Sequence, residues 1–379
     1  MATYGTNVRR GLLIAVLMTA AYPARAGSMA PYGPSPVIRG VTWDFKDLIR
    51  LANTPGNGGS DLWPVTWAED GNVYTSFGDG GGFSGASDGL GRVSIGFARI
   101  AGFPPDIKGT DVWGSYPKYA RHPATFCGKC GSMISVGGVI YAWVESWYNS
   151  TPLDFVQCGP NPFPPRTRMA WSRDLGKTWQ LSRWAVTEKR GRLDLAGQFL
   201  NFGRDDAGAR DRYVYQYLAV RGRGTGTYLA RVLPGKLTDD PSTAGFYEYY
   251  SGPGPTWSRD KSKASPVFVD KHRRRITHVI YDPGIHRYIA SEQGYGVGQL
   301  GLFDSPEPWG PWTTIGYYKN WGGFGERESL GVDFSTKWIS RDGRTLWAVF
   351  SGGRLKPTDD ELDSFNLVRL TLVLRKGGR

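Results

Sequence analysis

From Asp61 onward, short runs of β-branched and aromatic residues alternate with turns rich in glycine, proline and aspartate. The clearest case lies between Gly59 and Phe83. Leu62–Ala68 and Asn72–Phe77 are strand-like, and Glu69-Asp70-Gly71 separates them. Valine, threonine, tyrosine and tryptophan suit a pleated surface, and Asp-Gly accepts the positive φ of a tight turn, so the stretch predicts a β-hairpin. The theme recurs without a strict period. The first unit runs from Asp61 to Gly102 and closes with Val93–Ile100. The second holds Ser132–Val136, Val139–Trp147, Arg168–Ser172 and Thr178–Trp184. The third holds Gln198–Phe202, Tyr213–Val220, Thr227–Leu233 and Phe246–Tyr250. The fourth holds Pro266–Val269, Thr277–Tyr281, His286–Ser291, Gln299–Phe303 and Trp312–Tyr318. The last holds Leu330–Ser335, Thr345–Ser351 and Phe365–Leu374. Helical periodicity is scarce after the N-terminus. Antiparallel units of about 45 to 60 residues are what propeller blades are built from. The pattern predicts an all-β chain: a five-bladed β-propeller with three- to four-stranded blades, one domain over residues 59–379.

The N-terminal pattern differs. Arg9 and Arg10 precede an apolar run, Gly11–Ala21, and Ala24-Arg25-Ala26 fits a small-x-small cleavage site. Residues 1–26 read as a secretory signal peptide, too short in its apolar part to span a bilayer. The expectation is a secreted or periplasmic protein without stable membrane insertion. Residues 27–58, rich in glycine, proline and serine, read as a lead-in with one helical or strand piece near Val41–Leu51. Composition agrees with the strand reading: 53 glycines, 25 prolines and 14% aromatic residues suit many short strands joined by turns. The net charge of +12 falls to +9 without the three arginines of residues 1–26. That balance suits an anionic glycan better than nucleic acid, because the cations are scattered. The one run, Lys271–Arg275, reads as a solvated turn. Cys127, Cys130 and Cys158 predict one disulfide and one leftover thiol in an oxidising compartment. Cys158 bridged to one of the other two is favoured over a zinc site using His122.

Ser172-Arg173-Asp174-Leu175-Gly176-Lys177-Thr178-Trp179 matches the Asp-box, S-x-D-x-G-x-T-W, and Ser340-Arg341-Asp342-Gly343 with Thr345 and Trp347 is a looser echo. Such a box holds a turn between outer strands and packs its tryptophan between blades. Further segments carry a family resemblance. Ser60-Asp61-Leu62 followed by Phe77-Gly78-Asp79-Gly80 resembles domain of unknown function 4185. So do Thr227–Val232, Tyr249–Gly252, Trp257 and Pro306–Trp312, in the same order. That family is similar in fold to the five-bladed propeller glycosidases, arabinanases and invertase-like enzymes among them. The resemblance implies that Asp61 is the aspartate that opens the first blade and Asp79 the aspartate that follows its hairpin. The sequence departs from the family where Gly80-Gly81-Gly82 replaces a usual threonine and Trp63 a usual glycine, so no substrate is inherited.

Hairpin geometry makes the same pair independently. A hairpin returns to its own start, so Asp61 and Asp79 become neighbours. The same rule sends Glu145 and Glu292 to one mouth, with Glu326 and Glu328 near it. Sugar hydrolysis needs two carboxyl groups about 5 to 10 Å apart, one held protonated. The expected catalytic set is Asp61 as nucleophile or general base, Glu145 as general acid, and Asp79 as orienting or pKa-raising partner. Trp63, Phe83, Trp147, Tyr148, Tyr295 and Trp321 are candidate rim aromatics for stacking on sugar faces. Trp63, Phe83, Trp147, Glu292 and Trp321 form the expected substrate-binding set. No cofactor is expected, and no metal motif is present. Gly78–Gly85 lacks GxxxxGK[ST], and no histidine has a Ser/Asp partner in a recognisable motif. The expected activity is hydrolysis of an extracellular or envelope polysaccharide. A non-catalytic glycan-binding propeller and a sialidase-like enzyme are the alternatives.

Overall fold

The computed structural model describes residues 30–52, 59–84, 93–114, 122–146, 166–187, 191–220, 226–242, 245–272, 275–293, 300–324, 329–352 and 363–377. Among these the protein is all-β, with short 3-10 turns as its helical segments and no helix long and apolar enough to cross a membrane. One sheet holds β2 (Val65–Trp67), β3 (Val73–Phe77), β4 (Gly96–Phe103) and β5 (Asp106–Trp113). A second holds β6 (Lys129–Val136), β7 (Val139–Ser146), β8 (Arg166–Ser172) and β9 (Gln180–Leu181). The next meander is β10 (Gln198–Asn201), β11 (Val214–Ala219), β12 (Gly226–Val232), β13 (Glu248–Gly252) and β14 (Thr256–Ser258), with β15 (Pro266–Val269) paired to β12. It joins the meander β16 (Arg275–Asp282), β17 (Arg287–Gln293), β18 (Leu300–Ser305) and β19 (Thr313–Tyr318) through a parallel contact of β10 with β16. The last sheet orders β20 (Ser329–Phe334), β21 (Thr345–Gly352) and β22 (Phe365–Leu374), with β1 (Ile38–Leu51) on its outer edge. The other pairings between these strands are antiparallel.

Burial explains the order. β3 (VYTSF) is buried at all five positions, as a strand covered on both faces must be. β5 and β1, at sheet edges, show intermittent exposure. Each meander lays its apolar face on the next. Phe97 and Trp113 meet Met133 and Ile140, Met169 meets Phe199, Leu229 meets Val279, and Ile289 meets Phe334. The last sheet then packs on the first, where Trp63, Val65 and Phe77 meet Val349, Phe365 and Leu367. The array therefore closes on itself. Its first strands lie side by side: β2 by β6, β6 by β10, β10 by β16, and β16 by β20. The Val65 N–H donates to Asp333 Oδ2 (3.1 Å), tying β20 back to β2.

The predicted hairpin forms, with Val65 opposite Thr75 and Gly71 at φ 82° in its turn. Three readings change. The lead-in is not outside the fold, because Ile38–Leu51 is a long strand on β22. Pro266–Val269 belongs with β12, not with the meander that follows it. The first unit also gains a fourth strand, β5, whose alternating Asp106–Trp113 pattern is half solvated.

Candidate functional site

Pro64 and the positive φ of Leu62 (55°) keep β2 short. Beyond its end, Asp61 and Gly78 exchange backbone hydrogen bonds of 2.9 and 2.8 Å, closing the hairpin at its open edge. Asp79 follows at φ 52°, a left-handed conformation that aspartate tolerates better than bulky residues. The two carboxylates meet at one cation. Lys129 Nζ, at the start of β6, lies 3.1 Å from Asp61 Oδ1 and 2.6 Å from Asp79 Oδ2. Two oxygens that touch one nitrogen are within about 6 Å of each other, the span of a catalytic carboxylate pair. Lys129 is 7% exposed against 17% and 20% for the aspartates, so the acids are the more accessible members of the cluster.

Small residues make the approach feasible. A Cβ on Gly78 would stand 2.4 Å from Lys129 Nζ, and one on Gly80 would stand 1.6 Å from Gly59 O. The loop after Asp79 is fastened by Asp111 of β5, which accepts from the Phe83 and Ser84 N–H groups (2.9 and 3.0 Å) and from the Ser84 hydroxyl. Ser60 Oγ accepts from the Gly82 N–H (3.0 Å). Glu145 lies directly opposite Lys129 in the β6–β7 register and is half-buried. Directly opposed antiparallel residues share a face, with Cβ atoms about 5 Å apart. Asp61 and Asp79 thus converge on the Lys129 ammonium, and Glu145 stands across the β6–β7 pair from that residue.

The expected substrate-binding residues fare differently. Trp63 is 1% exposed, packs against Phe77, Phe83 and Phe365, and donates its indole N–H to Ser60 O and Ser364 O. Phe83 is half-buried in the same layer and covers Gly109. Trp321 is 1% exposed among Trp43, Phe45, Phe324 and Phe350. Trp63 and Trp321 offer no ring face to a sugar, since these large rings fill the layers between sheets. Glu292 is fully buried on β17 against Gly301, out of reach of a substrate. Trp147, Tyr148, Tyr295, Glu326 and Glu328 lie outside the described residues.

Cys130, His278 and Asp333 are all buried. Cys130 is a free thiol that burial pushes up to about 12, and Cys127 is disulfide-bonded. The sequence holds one further cysteine, Cys158, outside the described residues. Asp333 Oδ1 lies 2.5 Å from His278 Nε2; burial raises the Asp333 carboxyl above its ordinary range although His278 opposes it. Among the described residues no group of three or more His, Cys, Asp or Glu is placed to hold a metal ion. A cavity of about 1200 Å³ bordered by Gly284–His286, Asp342, Arg344 and Thr371–Gly377 lies at the ends of β16 and β22, and none of Asp61, Asp79 and Glu145 lines it. Lys129 is the residue that sequence reasoning missed. It stood inside Cys127-Gly-Lys-Cys130, a segment read for its thiols.

No family model matches the chain, and none of the curated proteins does. Solved structures give distant likenesses. A GH43_1 enzyme from Xanthomonas citri has 10% identity and a TM-score of 0.48, covering 88% of this chain and 93% of its own. A protein of unknown function from Dyadobacter fermentans has 10% identity and a TM-score of 0.47, covering 89% and 100%. A family 117 glycoside hydrolase from Zobellia galactanivorans has 12% identity and a TM-score of 0.46, covering 88% and 90%. A likeness of that depth assigns neither a family nor a substrate.

Proposed function

We propose that this chain is a five-bladed β-propeller that hydrolyses glycosidic bonds in an extracellular or envelope polysaccharide. One observation carries the reading: Asp61 and Asp79 sit within about 6 Å of each other at a partly accessible edge, with Glu145 opposite their shared lysine. The closed packing of successive meanders supports the propeller, each meander serving as one blade. Asp61 serves as nucleophile or general base, Glu145 as general acid, and Asp79 as the partner that orients Asp61. Arg9, Arg10 and the apolar run after them support export, with residues 1–26 removed. The positive balance of the rest of the chain favours an anionic glycan.

A panel of neutral and anionic polysaccharides, assayed for new reducing ends, tests the reading. Asp61→Ala and Asp79→Ala are each expected to lower kcat by about three orders of magnitude or more while leaving the melting curve cooperative. Near-normal turnover in both variants overturns the assignment. A purely glycan-binding propeller is the second reading, in which binding persists without cleavage.

A further inference from the structure

We propose that Lys129 is a positioning residue whose ammonium clamps Asp61 and Asp79 into one anionic pair; the inference rests on the hydrolytic reading above. A lysine 7% exposed is costly to bury unless its charge is met. Here it is met twice, at 2.6 and 3.1 Å. Coulomb energy falls with distance, so two such attractions outweigh one repulsion at any separation the two oxygens can have. The reverse also holds: without the ammonium, two carboxylates brought together by the hairpin repel each other. The surroundings look built for the clamp. A Cβ at Gly78 would stand 2.4 Å from the Nζ and 3.1 Å from Asp61 Oδ1, so glycine there leaves the ammonium its place. Asp61 approaches from the segment before β2, Asp79 from the end of β3, and Glu145 from β7. Arg166 of β8 stands opposite Ser146, one position beyond Glu145, and the buried Cys130, next to Lys129 on β6, lies within electrostatic reach of Asp333. The Asp205 carboxylate binds the far end of β6, at Ser135.

The test compares wild type, Lys129→Met and Lys129→Arg by thermal melting from pH 4 to pH 8, with no glycan present. Methionine keeps most of the apolar stem, and arginine keeps the charge. The Lys129→Met variant is expected to melt several degrees below wild type at pH 7 to 8. That gap should narrow as pH falls toward the ordinary carboxylate range, and Lys129→Arg should recover most of it. A gap of equal size at every pH, or arginine no better than methionine, overturns the proposal, since a lysine acting through packing alone gives that result. If Lys129→Met does not fold at neutral pH, the double variant Lys129→Met/Asp61→Asn decides: recovery of folded protein supports the clamp, and no recovery refutes it. Melting is read without substrate, so failure to cleave any glycan removes the hydrolytic reading and leaves the clamp to be judged by its own result.

Discussion

Asp206 shows how the fold changes one carboxyl. It lies in the 3-10 turn Arg204–Asp206 after β10, at φ 57°, and its Oδ1 accepts from the Phe202 N–H (3.0 Å). Burial pushes it up to about 8, with Asp205 and Asp211 adding to the rise. The folded state therefore keeps a proton that the unfolded chain releases near pH 4, and stability from this residue falls as pH rises from about 4 to about 8. Asp206→Asn, which keeps an acceptor for Phe202, is expected to match wild type in melting temperature near pH 4 and to exceed it increasingly toward pH 8. A constant difference across that range would count against the assignment. At this scale the sequence was readable where local geometry decides. Asp61 and Asp79 meet because a hairpin must return to its start. Lys129 was not readable, because its two partners come from another sheet. Trp63 and Trp321 were misread because a ring at a strand end has the same sequence pattern whether it caps an opening or fills a layer.

At the scale of elements, the turn from Ser172 to Trp179 is the best-determined piece of the chain. Asp174 accepts from the Ser172 hydroxyl (2.8 Å), the Thr178 N–H (2.9 Å) and the Thr178 hydroxyl (2.7 Å). The Trp179 indole donates to Gly176 O and stacks on Phe97 of the neighbouring sheet, with centroids 3.8 Å apart. Burial pushes the Asp174 carboxyl up, but the Thr178 and Ser172 donors more than reverse this and hold it below its ordinary range. Its contribution is thus present at neutral pH and lost as pH falls through that depressed value. Asp174→Ala is expected to cost about 1–2 kcal/mol in urea unfolding at pH 7. It should cost less in acid and, if the proposed hydrolysis holds, leave turnover unchanged, since this turn is not among the contacts of Asp61 or Asp79. β1 was the element hardest to see. Its Asp44, Lys46, Asp47 and Arg50 interrupt the apolar alternation, and its partner β22 lies at the other end of the chain.

For the whole molecule, closure is the decisive feature. β1 covers β22, and its Trp43 and Phe45 pack on Trp321 and Phe324. A chain starting at Gly59 keeps every candidate site residue but loses this strand. It is expected to melt at least roughly 5 °C lower or not to fold, because an uncovered β22 exposes both a hydrogen-bonding edge and an apolar face. A truncated chain melting within a degree of wild type would show that β1 is an accessory strand. The same closure brings the Val65 N–H to Asp333 and thereby fixes where β2, and with it Asp61, begins.

Strand content, the first hairpin, the Asp61–Asp79 pairing and the turn at Asp174 follow from residues close together in sequence, whose conformational preferences and short-range geometry act without the rest of the chain. The lysine between the two acids, the rings that turn inward and the strand that closes the array depend on segments tens to hundreds of residues apart. Those were settled only when apolar faces of different sheets were buried against each other, since that burial determines which side chains remain at the surface and which charges must find partners beneath it.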